Sequence, residues 1–210
     1  MPPARTRRTQ GERTAATRAR LLDATFESVL ARGCAATTIS EVQQRAGVAR
    51  GTLLHHFPTR SSLLVGVVED VATRRLGVLS SPADPAGHAG RRSPGGWPEA
   101  VAIVRSDLES AAFLVVLELW VAARTDPDLR AALVPVERVV FEAVHRAVTD
   151  VVGATDPRVP TLVQFTIDLL TGATMTGLLH HDRAAHELLV RRWVAAVGVL
   201  LGEAGADSWL

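Results

Sequence analysis

Arg50, Thr52, His55 and His56 fall within seven consecutive residues bracketed by Gly47 and Pro58. A guanidinium offers a planar fork of donors that matches phosphate oxygens or the O6 and N7 of guanine. A threonine hydroxyl reaches phosphate, its methyl meets the thymine methyl, and imidazoles donate to phosphate oxygens. Such a set suits non-covalent reading of a polyanion rather than bond-making. His180, His181, Asp182 and His186 raise the question of a metal, but only Asp182 and His186 have the i, i+4 spacing of helical ligands. No closed ligand set of the kind zinc needs can be assembled, so these residues read as a helix-end cluster and no metal or other cofactor is expected. Cys34 is the single cysteine and reads as a small apolar residue near a helix end. The nucleophile elbow, the H-E-x-x-H pair, the phosphate loop and the dinucleotide fingerprint are missing from the sequence, so the chain is not expected to be an enzyme.

The elements that must position the four residues are helical. Leu22, Phe26, Val29 and Leu30 recur at i, i+4, i+7 and i+8, which predicts a helix over residues 14–32 stopped by Gly33. Thr38 and Glu41 form a T-x-x-E capping box that starts a short second helix, and Gly47 supplies the left-handed residue of a tight turn. A third short helix covers residues 49–57 and ends before Pro58. Leu53 and Phe57 share its inner face with Val48, which leaves Arg50, Thr52, His55 and His56 outward. A fourth helix runs over residues 59–79, about 30 Å long and sufficient to join two domains. Its valines and Gly66 are poor helix formers, so packing must hold it.

Residues 80–98 carry four Pro and four Gly and read as a loop. Helices then resume over residues 99–124, with an interruption near Ser106, and from Pro127, with Asp126 as N-cap, to Gly153 with a kink at Pro135. Two final helices, residues 160–180 and 182–203, are apolar on more than one face. Strand-like alternation is nearly absent. The reading is an all-α chain with four parts: a basic arm at 1–13, a three-helix DNA-binding domain with a helix-turn-helix and its connecting helix at 14–79, the loop at 80–98, and an all-helical domain at 99–210. All of the chain's 23 fixed cations are arginines. Residues 1–75 hold 12 of them against 6 acids, while residues 76–210 hold 11 against 16, so only the first third has the charge to meet nucleic acid. The N-terminal arginines at 5, 7, 8, 13, 18 and 20 read equally as a solvated tail or as an arm that grips DNA. No segment has the length and apolarity of a membrane span, nor an apolar signal-peptide core, so a cytoplasmic location is expected.

The segment TTISEVQQRAGVARGTLLHHFPTRSSLL, residues 37–64, resembles the TetR family of bacterial regulators in order and spacing, and the likeness extends over residues 14–79. A fainter likeness lies in LELWVAARTDPDL, residues 117–129, similar to the regulatory half of such proteins. The resemblance implies DNA contacts at Thr38, Ser40, Arg50, Gly51, Thr52, Leu54, His55, His56 and Arg60. Leu54 replaces the family's usual Tyr, Ala49 the usual capping Ser, Gln43 the common Ala, and Arg60 a usual Lys. It further implies that residues 99–210 are an all-helical ligand-binding and dimerisation domain, with a homodimer through the last two helices, where Gly172, Ala173, Gly177, Ala195, Ala196 and Gly198 allow close approach. The implied partners are double-stranded operator DNA and a small-molecule effector that releases the repressor, with no membrane partner. Candidate effector contacts are Phe113, Leu117, Trp120, Phe141, His145, Phe165, Asp168 and Met175, whose character suits a hydrophobic or amphipathic molecule, although a filled core has the same composition. Glu118 and Arg124 read as an ion pair or helix caps rather than as ligand contacts. Three alternatives stay open: a three-helix cluster without a DNA role, a helical adaptor controlled by a protein partner, and an all-helical small-molecule enzyme.

Overall fold

The structure, a computed structural model, describes residues 9–80, 96–153, 156–179 and 182–202. Among them every regular element is an α-helix: α1 (Gln10–Ala36), α2 (Ile39–Ala46), α3 (Arg50–His56), α4 (Arg60–Ser80), α5 (Gly96–Leu108), α6 (Ala111–Ala123), α7 (Pro127–Val152), α8 (Val159–Gly177) and α9 (Arg183–Leu201). None of the described helices is long and apolar enough to cross a membrane.

Local chemistry fixes most of the boundaries. α1 starts four residues before the predicted position because Thr9 and Glu12 form a full capping box: the Thr9 hydroxyl accepts from the Glu12 amide at 3.3 Å, and the Glu12 carboxylate accepts from the Thr9 amide at 2.6 Å. Arg13, Arg18 and Arg20 therefore lie on a helix and not on an arm, while Arg5, Arg7 and Arg8 fall outside the described residues. Gly33 interrupts α1 with φ 77°, as its predicted role as a helix stop requires. The interruption expected near Ser106 in the helix over residues 99–124 falls at Glu109 and Ser110. There the Ser110 hydroxyl accepts from the Phe113 amide at 3.1 Å and starts α6 afresh. Asp126 caps α7 by accepting from the Leu129 amide at 3.0 Å. α7 continues through Pro135, and its end is followed by Gly153 at φ 62°. Asp182 caps α9 through the Ala185 amide at 2.9 Å, which gives that residue a structural role, whereas His180 and His181 lie outside the described residues.

The chain divides into two compact units, Met1–Ala72 with Leu114–Val136, and Thr73–Phe113 with Glu137–Leu210. This division differs from a boundary in the loop, since a stretch of α6 and α7 expected in the regulatory half belongs with the N-terminal helices. Leu21, Leu22, Val29, Val42, Leu53 and Leu64 of the first unit are buried, each a gain of about 1.5–3 kcal/mol over exposure. In the second unit α5, α8 and α9 pack together, and Val101, Val104, Leu162, Val163 and Val197 on them are buried. Trp193 donates its indole N–H to the buried Thr166 hydroxyl at 2.8 Å, and that hydroxyl donates in turn to the Leu162 carbonyl at 2.7 Å.

Candidate nucleic-acid interface

α2, the turn at Gly47 and α3 form the candidate interface. The Thr38 hydroxyl accepts from the Glu41 amide at 3.2 Å, as expected of the N-cap. The reciprocal half of the box is replaced: the Glu41 carboxylate turns to Arg32 at 3.2 Å and Arg45 at 3.9 Å. α2 ends on Gly47 at φ 62° and ψ 39°, with the Gly47 and Val48 amides donating back to Gln44 and Gln43. α3 starts on Ala49, which offers no side-chain cap, so a helix of only seven residues depends on tertiary burial for its existence. Leu53 and Phe57 provide it; both are buried, whereas Val48 is only half-buried.

The outer edge of this pair of helices carries the residues expected there. Thr38, Ser40, Arg50, Gly51, Thr52 and His55 are exposed, and Leu54 is half-buried. A Cβ at Gly51 would meet nothing within 4 Å, so the protein's own packing does not demand glycine there, and the bare backbone is open to an approaching surface. His56 departs from the outward reading. It is half-buried with its ring 6.4 Å from that of Phe57, and burial, then the neighbouring His55 and Arg18, hold its pKa below the ordinary value.

Arg60 corrects the expectation of a phosphate contact. Its Nε donates to the Thr37 carbonyl at 2.9 Å and its Nη2 to the Cys34 carbonyl at 2.5 Å, so most of its fork is committed to orphan carbonyls at the end of α1. The Cys34 amide donates to Glu118 Oε2 at 2.9 Å, while a Cβ on Gly33 would stand 3.0 Å from the same oxygen. Glu118 is thus a cap for the broken end of α1, one of the two structural roles expected for it. Burial pushes the Cys34 thiol up, against the pull of Arg60, so it stays protonated as a small apolar group. Ser61 donates to Asp126 Oδ2 at 3.4 Å, a further tie between the start of α4 and the α6–α7 turn.

Two residues beside the interface carried no sequence signal. Arg18 lies 5.4 Å over the Phe57 ring and 3.6 Å from Glu69, which braces α3 from α1. Gly66 on α4 is packed so closely that a Cβ would fall 2.7 Å from the Phe57 ring. Only a three-dimensional neighbour reveals either role.

The candidate effector contacts are scattered in burial. Phe113 is a fully buried core residue, while Phe165, at 53% exposure, Phe141, Asp168 and Met175 stand at the surface, which is not where a pocket wall lies. Asp168 accepts from Gln164 at 3.0 Å, and His145 is engaged with the Pro160 carbonyl at 3.3 Å and the Thr149 hydroxyl at 3.5 Å. Leu117 is half-buried. Trp120 alone of the eight lines the cavity of about 400 Å³ bounded by Trp120, Ala123, Arg124, Arg130 and Leu133.

A capped helix, a left-handed glycine turn and a second helix with an outward polar edge define a DNA-binding transcriptional regulator. The profile of the bacterial regulatory proteins, tetR family, matches residues 21–67. An uncharacterized HTH-type transcriptional regulator of Mycobacterium tuberculosis is 30% identical over 177 residues, which cover 80% of this chain and 86% of that protein. The chain belongs to the TetR family. HTH-type regulator CymR of Pseudomonas putida is 30% identical over 141 residues, 60% of this chain and 61% of its own. Among solved structures, a transcriptional regulator from Rhodococcus superposes with a TM-score of 0.63 at 20% identity, covering 90% of this chain and 98% of its own. The multidrug binding protein EbrR complexed with ethidium does so with 0.59 at 21%, covering 83% and 97%. At these identities the two structures speak for the fold.

Proposed function

We propose that the protein is a repressor that binds a pseudo-palindromic operator as a homodimer and is released by a hydrophobic or amphipathic small molecule. The observation that carries the DNA reading is the exposed edge of Arg50, Gly51, Thr52 and His55 on a helix whose opposite edge, Leu53 and Phe57, is buried. Arg50 reads phosphate or guanine, Thr52 phosphate or a thymine methyl, and Gly51 lets the backbone come close. Thr38 and Ser40 at the start of α2 add contacts to the sugar-phosphate strand, Leu54 an apolar one, and Arg60 and His56 act from behind by holding the ends of α1 and α3. The target being chromosomal, its place of action is the cytoplasm.

The dimer reading draws support from α8 and α9. Phe165, Met175, Leu178, Leu188 and Leu200 are exposed there, more apolar surface than a lone unit leaves without use. Cβ atoms at Gly172 and Gly177 would meet nothing within 4 Å, leaving room for a second copy, with Ala173, Ala195 and Gly198 only partly covered. Ala196 is the exception, since it is buried within its own chain. Two reading helices would then lie about 34–36 Å apart, one turn of duplex. Release by an effector needs only a ligand that prefers the dimer with its heads badly spaced. A fold neighbour, the multidrug binding protein EbrR, is complexed with ethidium.

Selection of binding sites from random duplex DNA, followed by anisotropy titration at several salt concentrations, tests the reading. A palindrome and a steep fall of affinity with salt are expected. Arg50→Ala with Thr52→Ala is expected to lower operator affinity by about 100-fold or more, while sedimentation still reports a dimer. Salt-insensitive binding, or full affinity in the double variant, sinks the DNA assignment, and a monomer at micromolar concentration sinks the dimer.

A further inference from the structure

The cavity at the α6–α7 turn combines an apolar wall with two arginines. Trp120, Ala123 and Leu133 give it an apolar wall, and Arg124 and Arg130 stand on it from the two sides of the turn. Neither guanidinium has a side-chain hydrogen bond or ion pair among the described residues. Other exposed arginines, among them Arg50 and Arg138, are uncommitted too, and what sets this pair apart is that both line one apolar cavity. Asp126, between them in sequence, is occupied with the Leu129 amide and the Ser61 hydroxyl. Two uncommitted forks over an aromatic wall suit a ligand with an apolar body and an anionic head.

We propose that this cavity is a binding site for an amphipathic organic anion, an aromatic or short aliphatic acid, whose carboxylate or phosphate is held by Arg124 and Arg130 and whose body lies against Trp120, Ala123 and Leu133. A volume of about 400 Å³ accommodates a two-ring acid. All five lining residues belong to the unit that contains α1–α3. The same stretch of chain carries two ties of that unit: Glu118, two residues before Trp120, holds the Cys34 amide, and Asp126, between Arg124 and Arg130 in sequence, holds Ser61. A ligand that draws Arg124 and Arg130 together bears on both ties. This consequence for DNA rests on the repressor reading, whereas the binding itself does not.

The test is calorimetric titration of the full chain, without DNA, with 2-naphthoate, 2-naphthyl phosphate, the neutral 2-naphthalenemethanol and cationic 2-naphthylmethylammonium. Both anions are expected to bind about tenfold or more tighter than the alcohol, and the cation more weakly still. The tighter of the two anions identifies the head group. Arg124→Gln with Arg130→Gln, both at the surface and thus tolerant of exchange, is expected to erase the preference while the circular dichroism and melting temperature stay unchanged. Equal binding of anion and alcohol, or a preference that survives the double variant, overturns the site. Anisotropy with operator DNA is then a separate measurement: naphthoate that binds without changing operator affinity leaves the site standing and removes its regulatory role.

Discussion

In the unit built around α1–α3 an arginine and a glutamate, Arg60 and Glu118, close the broken end of α1 by bonding backbone, whereas in the unit of α5, α8 and α9 the arginines Arg75 and Arg105 pair with carboxylates. In the first, Thr9, Thr38, Arg60 and Glu118 each satisfy an amide or carbonyl at a helix end. Some of its ion pairs lie at the surface, as between Glu27 and Arg45. In the second, Arg75 grips Asp107 with two bonds, at 3.0 and 2.6 Å, and Arg105 reaches Glu187 at 3.0 Å, while large apolar side chains remain exposed on α8 and α9. Backbone-directed bonds fix where short helices begin and stop, which a DNA-reading surface needs to within an ångström or so. Side-chain pairs between long helices fix packing and leave faces free for partners.

The largest expected effect tests that contrast directly. Arg75 is 8% exposed and Asp107 13%, so Arg75→Ala strands a carboxylate away from water and is expected to cost about 3 kcal/mol in urea unfolding. Glu27→Ala, which removes an exposed pair of the other unit, is expected to cost less than about 0.5 kcal/mol. Similar losses from the two variants would break the comparison.

Two glycines of α4 sharpen it next. Gly66→Ala gains helix propensity but drives a methyl into Phe57 and Leu22, with distances of 2.7 and 3.1 Å to be relieved, and is expected to destabilise by about 1–3 kcal/mol. Gly77→Ala meets nothing within 4 Å, and the same substitution is expected to stabilise by about 0.5–1 kcal/mol. The two melting shifts should have opposite signs. Read as a sequence, both glycines are only poor helix formers, which marks the limit of what was legible. The periodicity, the caps at Thr38 and Asp126 and the stops at Gly33, Gly47 and Pro58 are local, so the helices and the DNA-reading edge could be placed from sequence. Thr9 and Glu12 carried a signal that the basic composition around them overshadowed. Gly66, the inward turn of Arg60, the Arg18–Phe57 contact and the grouping of α6 with the first unit depend on residues far apart in the chain, and periodicity does not report them. Apolar positions on α6–α8 look alike in sequence whether they fill a core, as Phe113 does, or stand at the surface, as Phe165 does.

Glu118→Gln should have a smaller effect. The amide oxygen can still accept from Cys34, but without the charge that strengthens the bond, so a loss of about 1 kcal/mol is expected. Faster hydrogen exchange at the Cys34 amide would accompany it. Unchanged exchange would show that the tie does not brace the broken end of α1.

The smallest expected effect concerns pH. An imidazole whose folded pKa is held below the unfolded value of about 6.5 binds its proton more readily in the unfolded chain. Stability attributable to neutral His56 is therefore complete above about pH 6.5 and is lost as pH falls from there through the lower folded value. His56→Gln should narrow the drop in melting temperature between pH 7.5 and 5.5, and an identical drop in both proteins would remove His56 as its source. The sign also bears on DNA affinity. Charging His56 beside His55 and Arg18, with Phe57 at its edge, works against the fold that presents Arg50 and Thr52. Acidification is thus expected to loosen the helix that carries the DNA contacts, and His56→Gln should remove that part of the pH dependence of operator affinity.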